Sequence, residues 1–214
     1  MAASFPTREE FLQALSERHG AALQQRFSAA RVAVCGLGGL GSNLAVSLAR
    51  AGIGRLHLID FDRVDLSNLH RQQYALRQIG MLKTDALKQN LNAISPYIAV
   101  QADTVRITEE NFGSLLREDD IICEAFDHAQ AKAMLVNGIL EQFPDKYVIA
   151  ASGMAGLESG NRIRTRKVTS RFYLCGDECS DVADSVGLLS SRVMLCAAHQ
   201  AHTVLRILAG GCGI

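Results

Sequence analysis

Apolar positions along the chain fall into short β-branched runs separated by longer stretches with helical spacing. A polar, helix-like opening covers about residues 7–25, and the run at 31–35, Arg-Val-Ala-Val-Cys, is closed by glycine as a buried parallel strand would be. A glycine-rich turn follows, then Leu44, Val46, Leu48 and Ile53 recur at helical spacing before a second strand at 55–60. Strand, glycine turn, helix and strand make a βαβ unit.

The alternation continues with a helix at 81–94, a strand at 98–102, a short helix at 109–116, a strand at 120–123, a helix at 128–141 and a strand at 147–151. Such a series predicts a doubly wound α/β domain, a mostly parallel sheet with helices on both faces. Between 152 and 185 glycines and charges dominate, with short strands expected at 162–166 and 171–174 in a hairpin or crossover loop. The stretch 187–208 reads as a mostly buried helix. No repeat or linker divides the chain, so a single domain of residues 1–214 is expected, with an N-terminal helical segment (1–28), a nucleotide-binding core (30–152) and a C-terminal crossover and helix (153–214).

Composition changes this picture only by exclusion. The 214 residues carry 22 basic and 22 acidic side chains, so no whole-chain field draws nucleic acid or anionic membrane, and an anion must be held by a local site. The N-terminus has no basic segment followed by an apolar stretch, and the apolar C-terminal stretch is interrupted by His199, Gln200, His202 and Arg206. The expected address is the cytoplasm, with no membrane span. Cys35 and Cys123 lie inside apolar runs and read as buried hydrophobes, so no disulfide framework is expected.

The chemistry gathers at the carboxyl ends of the expected strands. Gly36, Gly38, Gly39 and Gly41 leave the first strand and open the first helix, where backbone N–H groups and the helix dipole favour phosphate. The string also satisfies GxGxxG, and Asp60 at the end of the second strand suits ribose hydroxyls, so a nicotinamide cofactor and ATP both remain open at this point. The next stretch separates them. Together with the GxGGxGS loop, Asp60-Phe-Asp62-Arg-Val-Asp-Leu-Ser-Asn68-Leu-His-Arg71-Gln72 and the following Lys83 resemble the HesA/MoeB/ThiF family of ubiquitin-activating-like adenylyltransferases. Asp127, just past the strand at 120–123, resembles the family's strand-end aspartate. The resemblance covers roughly residues 30–152 well and the last third more loosely, and it is greatest to the short ThiF-type proteins of thiamine synthesis.

The resemblance implies a Rossmann-like fold and ATP-dependent adenylylation of the C-terminal carboxylate of a ubiquitin-like sulfur carrier protein ending in Gly-Gly. By the same implication Arg71 and Lys83 clamp the triphosphate, Asp127 holds Mg²⁺, Asp60 fixes the ribose, and Asn68 and Gln72 contact phosphates. Asp62 either caps a turn or joins the nucleotide site, and Asp127 has the alternative of capping the helix at 128. Neither Arg71 nor Lys83 occupies an expected core position. A homodimer is implied too, with an arginine from the partner's N-terminal segment, for which Arg8, Arg18 and Arg26 are candidates.

The chain also departs from the family pattern. It has no CxxC pair, only Cys175-x-x-x-Cys179 with Cys196 and Cys212 isolated, so a structural zinc is not expected. Cys175 is the position for a covalent thiol, if one is used. His199 and His202 read as satisfied core or interface histidines. Three other activities remain as alternatives: adenylation of a small molecule or a modified tRNA base, for which residues 162–167 offer a basic patch; a catalytically silent carrier-binding partner; and a nicotinamide-dependent dehydrogenase.

Overall fold

The computed structural model describes residues 5–211. Seven strands form one sheet: β1 (Arg31–Cys35), β2 (Arg55–Ile59), β3 (Ala99–Asp103), β4 (Ile121–Glu124), β5 (Tyr147–Ala151), β6 (Arg164–Lys167) and β7 (Phe172–Gly176). Their order is β3-β2-β1-β4-β5-β7-β6. Every neighbouring pair is parallel except β6 and β7, which form an antiparallel hairpin at the edge. The hairpin therefore extends the main sheet instead of standing apart from it.

The helices are α1 (Arg8–His19), α2 (Ala21–Ala29), α3 (Gly39–Arg50), α4 (Lys83–Ile94), α5 (Phe112–Leu115), α6 (Ala129–Gln142) and α7 (Ser190–Leu208). The strands are apolar on both sides because both faces are covered. Val32, Val34, Leu56 and Leu58 pack with Leu44, Leu48, Leu87 and Val204 of α3, α4 and α7. Ala33, Cys35 and Ile122 turn the other way, toward Phe112, Leu135 and Ile139 of α5 and α6. Period-2 alternation thus feeds two cores from one five-residue strand.

Two local expectations need correction. The opening helix is two helices, because Gly20 adopts φ +94°, a conformation that L side chains rarely reach, and separates α1 from α2. Thr7 and Glu10 close a capping box at the start of α1. The helix expected at 109–116 shrinks to α5, because the Asn111 side chain takes the Thr108 N–H at 2.8 Å and donates to the Arg106 carbonyl at 2.9 Å, holding a turn.

Helix α7 lies along α3 and against β5, β6 and β7. Its buried positions include Val193, Cys196, Ala197, Ala201 and Val204, one apolar stripe, with Arg192 and Gln200 buried beside them. Among the described residues no helix is long and apolar enough to cross a membrane.

Candidate nucleotide site

The β1–α3 turn sits at the carboxyl end of the sheet, where the strand order reverses between β1 and β4 and a crevice must open. Two of its glycines are required by space. A Cβ on Gly36, which has φ +93°, would meet the Ala125 carbonyl oxygen at 2.8 Å, and one on Gly41 would lie 1.8 Å from the Gly36 carbonyl oxygen. The chain turns within its own van der Waals envelope there, so the loop is tight before any ligand arrives. Gly38 is the N-cap of α3 and supplies no side-chain cap, and the first turn contains no acidic residue. The helix therefore presents N–H groups and a positive dipole end to whatever fills the crevice.

Three side chains fix this loop. Asp60, 8% exposed at the end of β2, accepts from the Leu37 N–H at 2.6 Å and, through its other oxygen, from the Asp62 N–H at 2.7 Å. The Tyr74 hydroxyl donates to the Leu37 carbonyl at 2.8 Å, and burial pushes this phenol well up so that it remains a donor. Asn43 donates to the carbonyls of Gly39 at 2.6 Å and Arg71 at 3.1 Å, while its own oxygen accepts from Gln73 Nε2 at 2.6 Å. Asn43 thereby binds the glycine turn to the segment that carries Arg71. Neither Tyr74 nor Asn43 was foreseen from the sequence, although a polar residue inside the apolar run after Gly41 was a visible signal.

That segment delivers two side chains to the loop. A Cβ on Gly39 would meet the Arg71 stem at 3.4 Å, and one on Gly38 would lie 3.8 Å from Gln72 Nε2. Among the described residues Arg71 makes no ion pair; its Nη1 reaches the Ser67 carbonyl at 3.4 Å and the His70 ring at 3.3 Å, and its Nε is buried without a partner. Gln72 is buried with its Oε1 unpaired. Two unspent polar atoms therefore stand beside an open helix N-terminus. The Asn68 side chain, half-buried, donates to Ser67 Oγ at 3.1 Å.

Lys83 corrects one expectation, since it opens α4 at 5% exposure. Its Nζ lies 2.8 Å from Asp62 Oδ2, and its N–H donates to the Asp62 carbonyl at 2.9 Å. Asp62 is thus the partner of Lys83 and not merely a turn cap. The Asp62 carboxylate is half exposed, so the pair keeps one face open to solvent.

Asp127 follows β4 with its side chain 88% exposed. It is not the cap of α6: His128 occupies that position, and no side chain closes the helix. Its contact is the His128 ring at 3.7 Å. Behind it, Glu124 is fully buried and takes Lys132 Nζ at 2.9 and 3.1 Å and the Phe126 N–H at 2.6 Å. Burial pushes the Glu124 carboxyl up, while Lys132 and the Phe126 N–H pull the other way. Gln200 of α7 donates to the Glu124 carbonyl at 2.9 Å, so the turn carrying Asp127 is held from two sides.

Other candidates separate from this group. Cys175 lies on β7 with no exposure, and burial pushes its thiol up to about 11, which does not suit an attacking thiolate. The exposed thiol is Cys179, with Arg162 Nη2 at 3.0 Å from its sulfur; Cys212 lies outside the described residues. Arg8 and Arg18 are exposed on α1, whereas Arg26 donates to the Ala209 carbonyl at 2.8 Å. His199 is half-buried against Thr165, but His202 is exposed and is not a core residue. The basic stretch 162–167 is partly neutralised, with Arg162 against Glu158 and Arg166 against Glu178.

Residues 12–212 match the ThiF family. The chain belongs to that family. Among relatives of this ThiF-family chain, the sulfur carrier protein adenylyltransferase of Thermus thermophilus is 40% identical over 106 residues, 49% of this chain and 39% of that protein. The molybdopterin-synthase adenylyltransferase of Escherichia coli is 27% identical over 193 residues, 87% of this chain and 76% of that one. The chain spans between 28% and 39% of the length of four curated relatives, three of them yeast adenylyltransferase–sulfurtransferases. In fold it is similar to the E. coli tRNA N6-threonylcarbamoyladenosine dehydratase solved in complex with ATP, with a TM-score of 0.85, 20% identity, and coverage of 97% of this chain and 98% of that one.

Proposed function

We propose that this ThiF-family chain is an ATP-dependent adenylyltransferase that activates the C-terminal Gly-Gly carboxylate of a ubiquitin-like sulfur carrier protein, with the carrier of thiamine thiazole synthesis as its substrate. The observation that carries the reading is the group around the β1–α3 turn: an uncapped helix N-terminus, an arginine whose Nε is unsatisfied and which has no ion-pair partner among the described residues, and a buried lysine paired with Asp62. An arginine against the glycine turn, and a lysine on the Asp62 that follows Asp60, suit a triphosphate. A hydride-transferring enzyme has no use for them, which argues against the dehydrogenase.

In the proposed reaction a carrier carboxylate oxygen attacks the α-phosphorus of ATP, the bond to the β-phosphate oxygen breaks, and pyrophosphate leaves with its electron pair. The product is a mixed anhydride. The α3 N–H groups and Arg71 hold the phosphates in line, and Lys83, swinging from Asp62, neutralises charge developing on the leaving oxygens. Asp60 keeps both oxygens on the backbone of the turn, so its remaining lone pairs face the ribose from a fixed position. The Gln72 amide, whose Nε2 lies beside Gly38, and the Asn68 amide, which donates to Ser67 Oγ, are the further donors for phosphate oxygens.

Among the described residues no three His, Cys, Asp or Glu side chains could together hold a metal ion. One exposed carboxylate is nonetheless the ordinary protein share of a Mg²⁺ site, whose other ligands are phosphate oxygens and water. Asp127 fits that share, and Mg²⁺ there would neutralise the departing pyrophosphate. A cytoplasmic homodimer with carrier bound near the crevice completes the reading.

The likeness to the tRNA-modifying enzyme favours a second reading, in which the same ATP site adenylates RNA-linked carboxylate. ATP–pyrophosphate exchange in the presence of Mg²⁺ decides between them. Exchange that appears only with a Gly-Gly-ending carrier is the expected result; exchange driven by tRNA and not by carrier selects the second reading, and ATP binding with no exchange under any addition selects a silent partner.

A further inference from the structure

The chain has a cavity of about 310 Å³ away from the nucleotide turn, lined by Arg164, Thr165, Tyr173, His199, His202, Thr203, Arg206, Ile207 and Gly211. On α7 its residues fall at 199, 202, 203, 206 and 207, a single stripe of the helix that turns toward the β6–β7 edge. A helix stripe laid against a sheet is ordinarily apolar, and this one carries two histidines, a threonine and an arginine. Among the described residues no acidic side chain lines the cavity.

The donors in this cavity have few partners. Neither Arg164 nor Arg206 makes a side-chain hydrogen bond or an ion pair among the described residues, and the nearby Glu178 carboxylate is taken by both ends of Arg166 at 2.9 and 2.6 Å. His199 Nδ1 is within 3.0 Å of Thr165 Oγ1. Burial, and then the neighbouring His202, pull the His199 ring down from its ordinary range. Tyr173, part of the wall and only 3% exposed, has a buried hydroxyl without a partner. Two guanidinium groups therefore border one partly enclosed space, with the Glu178 carboxylate acting on Arg164 only at a distance and already hydrogen-bonded to Arg166.

We infer that this cavity between β6 and the C-terminal half of α7 is a binding site for a small phosphate-bearing molecule, with Arg164 and Arg206 as its charge partners and His199 and His202 as additional donors. Its volume is at the lower end for small-molecule pockets, enough for a phosphate group with a few attached carbons against Tyr173 and Ile207. Guanidinium groups match phosphate oxygens through paired N–H bonds. The site is separate from the nucleotide turn. Val193 touches the space over Gly39, and the cavity begins at residue 199, so the two are about 9 Å apart at the near end and about 21 Å at the far end along the α7 axis.

The test is a titration of the full chain with inorganic phosphate, glycerol 3-phosphate and succinate. The nucleotide site is kept saturated with a non-hydrolysable ATP analogue, and the His199 and His202 ring signals are read by NMR. Saturable movement of both rings is expected with the two phosphates, with the His199 pKa rising because a bound anion favours the imidazolium. Arg206→Gln should weaken phosphate binding at least tenfold and Arg206→Lys less, both with wild-type melting temperature and wild-type affinity for the ATP analogue. Arg71→Ala should leave the ring response intact, which separates this site from the nucleotide reading. Unmoved histidine signals, equal phosphate affinity in Arg206→Gln and wild type, or a response to succinate and not to phosphate would each overturn the proposal.

Discussion

Lys83 and Arg71 are both cations, but their surroundings assign them different energetics. Arg71 has a buried, unsatisfied Nε and no carboxylate partner among the described residues, so its removal costs the fold little while stripping the turn of a cation not committed to an ion pair. Arg71→Ala should depress ATP–pyrophosphate exchange by about a hundredfold or more with a melting temperature within a few degrees of wild type. Equal exchange rates would remove it from the phosphate clamp. Lys83 is instead a buried half of an ion pair. Lys83→Met should also abolish exchange, yet destabilise the protein by only about 1–2 kcal/mol, because the stranded Asp62 carboxylate is half exposed and can rehydrate. Asp62→Asn in the Lys83→Met background should then add little further loss, and a double-mutant cycle in urea checks this coupling. The sequence made Arg71, Lys83 and Asp62 legible as residue types near one glycine turn. It could not show that two of them are each other's partner, because that pairing depends on the loop over 62–82 folding back so that Arg63 bridges Leu82.

At the scale of elements, the crossover from β5 to α7 is held by a clasp that hydrophobic periodicity does not reveal. Arg192 of α7 pairs with Asp177 just after β7 and donates to the Glu158 carbonyl and, at 3.3 Å, to the Ser159 carbonyl. Asp177 accepts in turn from the Cys179 N–H at 3.0 Å and the Ser180 N–H at 2.8 Å. Burial alone would raise this carboxyl, but the donors from Ser180 and Cys179 prevail and lower it to about 2. A carboxyl whose pKa is depressed on folding adds stability above its unfolded value near 3.8, and that contribution, about 2 kcal/mol, is lost as pH falls from about 4 to 2. Asp177→Asn should therefore flatten the acid limb of the stability curve over that window, and urea unfolding at pH 7 and pH 3 should show a smaller difference than wild type. An unchanged difference would mean that the clasp contributes no pH-dependent stability. The strands of this region were readable as a hairpin, but not their place in the sheet, since the β5–β7 pairing depends on contacts between residues far apart in the chain.

For the molecule as a whole, the segment expected to bind nucleotide at 30–152 and the C-terminal crossover and helix at 153–214 share one seven-stranded sheet. Every residue assigned to the nucleotide turn lies between Gly36 and Asp127, and the strands that carry them alternate clearly with helices, so the fold of that half was legible. The structural dependence runs the other way. β7 pairs with β5 along Val148–Phe172 to Ala151–Cys175, and α7 lies over α3, the helix whose N-terminus faces the crevice. Removing residues 153–214 would leave β5 as an open edge and uncover the face that holds Leu44 and Leu48, both fully buried in the complete chain. It would also take away Gln200, which donates to the Glu124 carbonyl behind Asp127. A chain of residues 1–152 should consequently lack a cooperative thermal transition, bind a hydrophobic dye and show no saturable affinity for an ATP analogue, even though it retains every expected phosphate contact. A cooperative melt with near wild-type nucleotide affinity would mean that the last 62 residues are an accessory to an autonomous core. The opposite result would show that the nucleotide turn depends on the far edge of the sheet, because its geometry is set by the packing of α3 between β1 and α7.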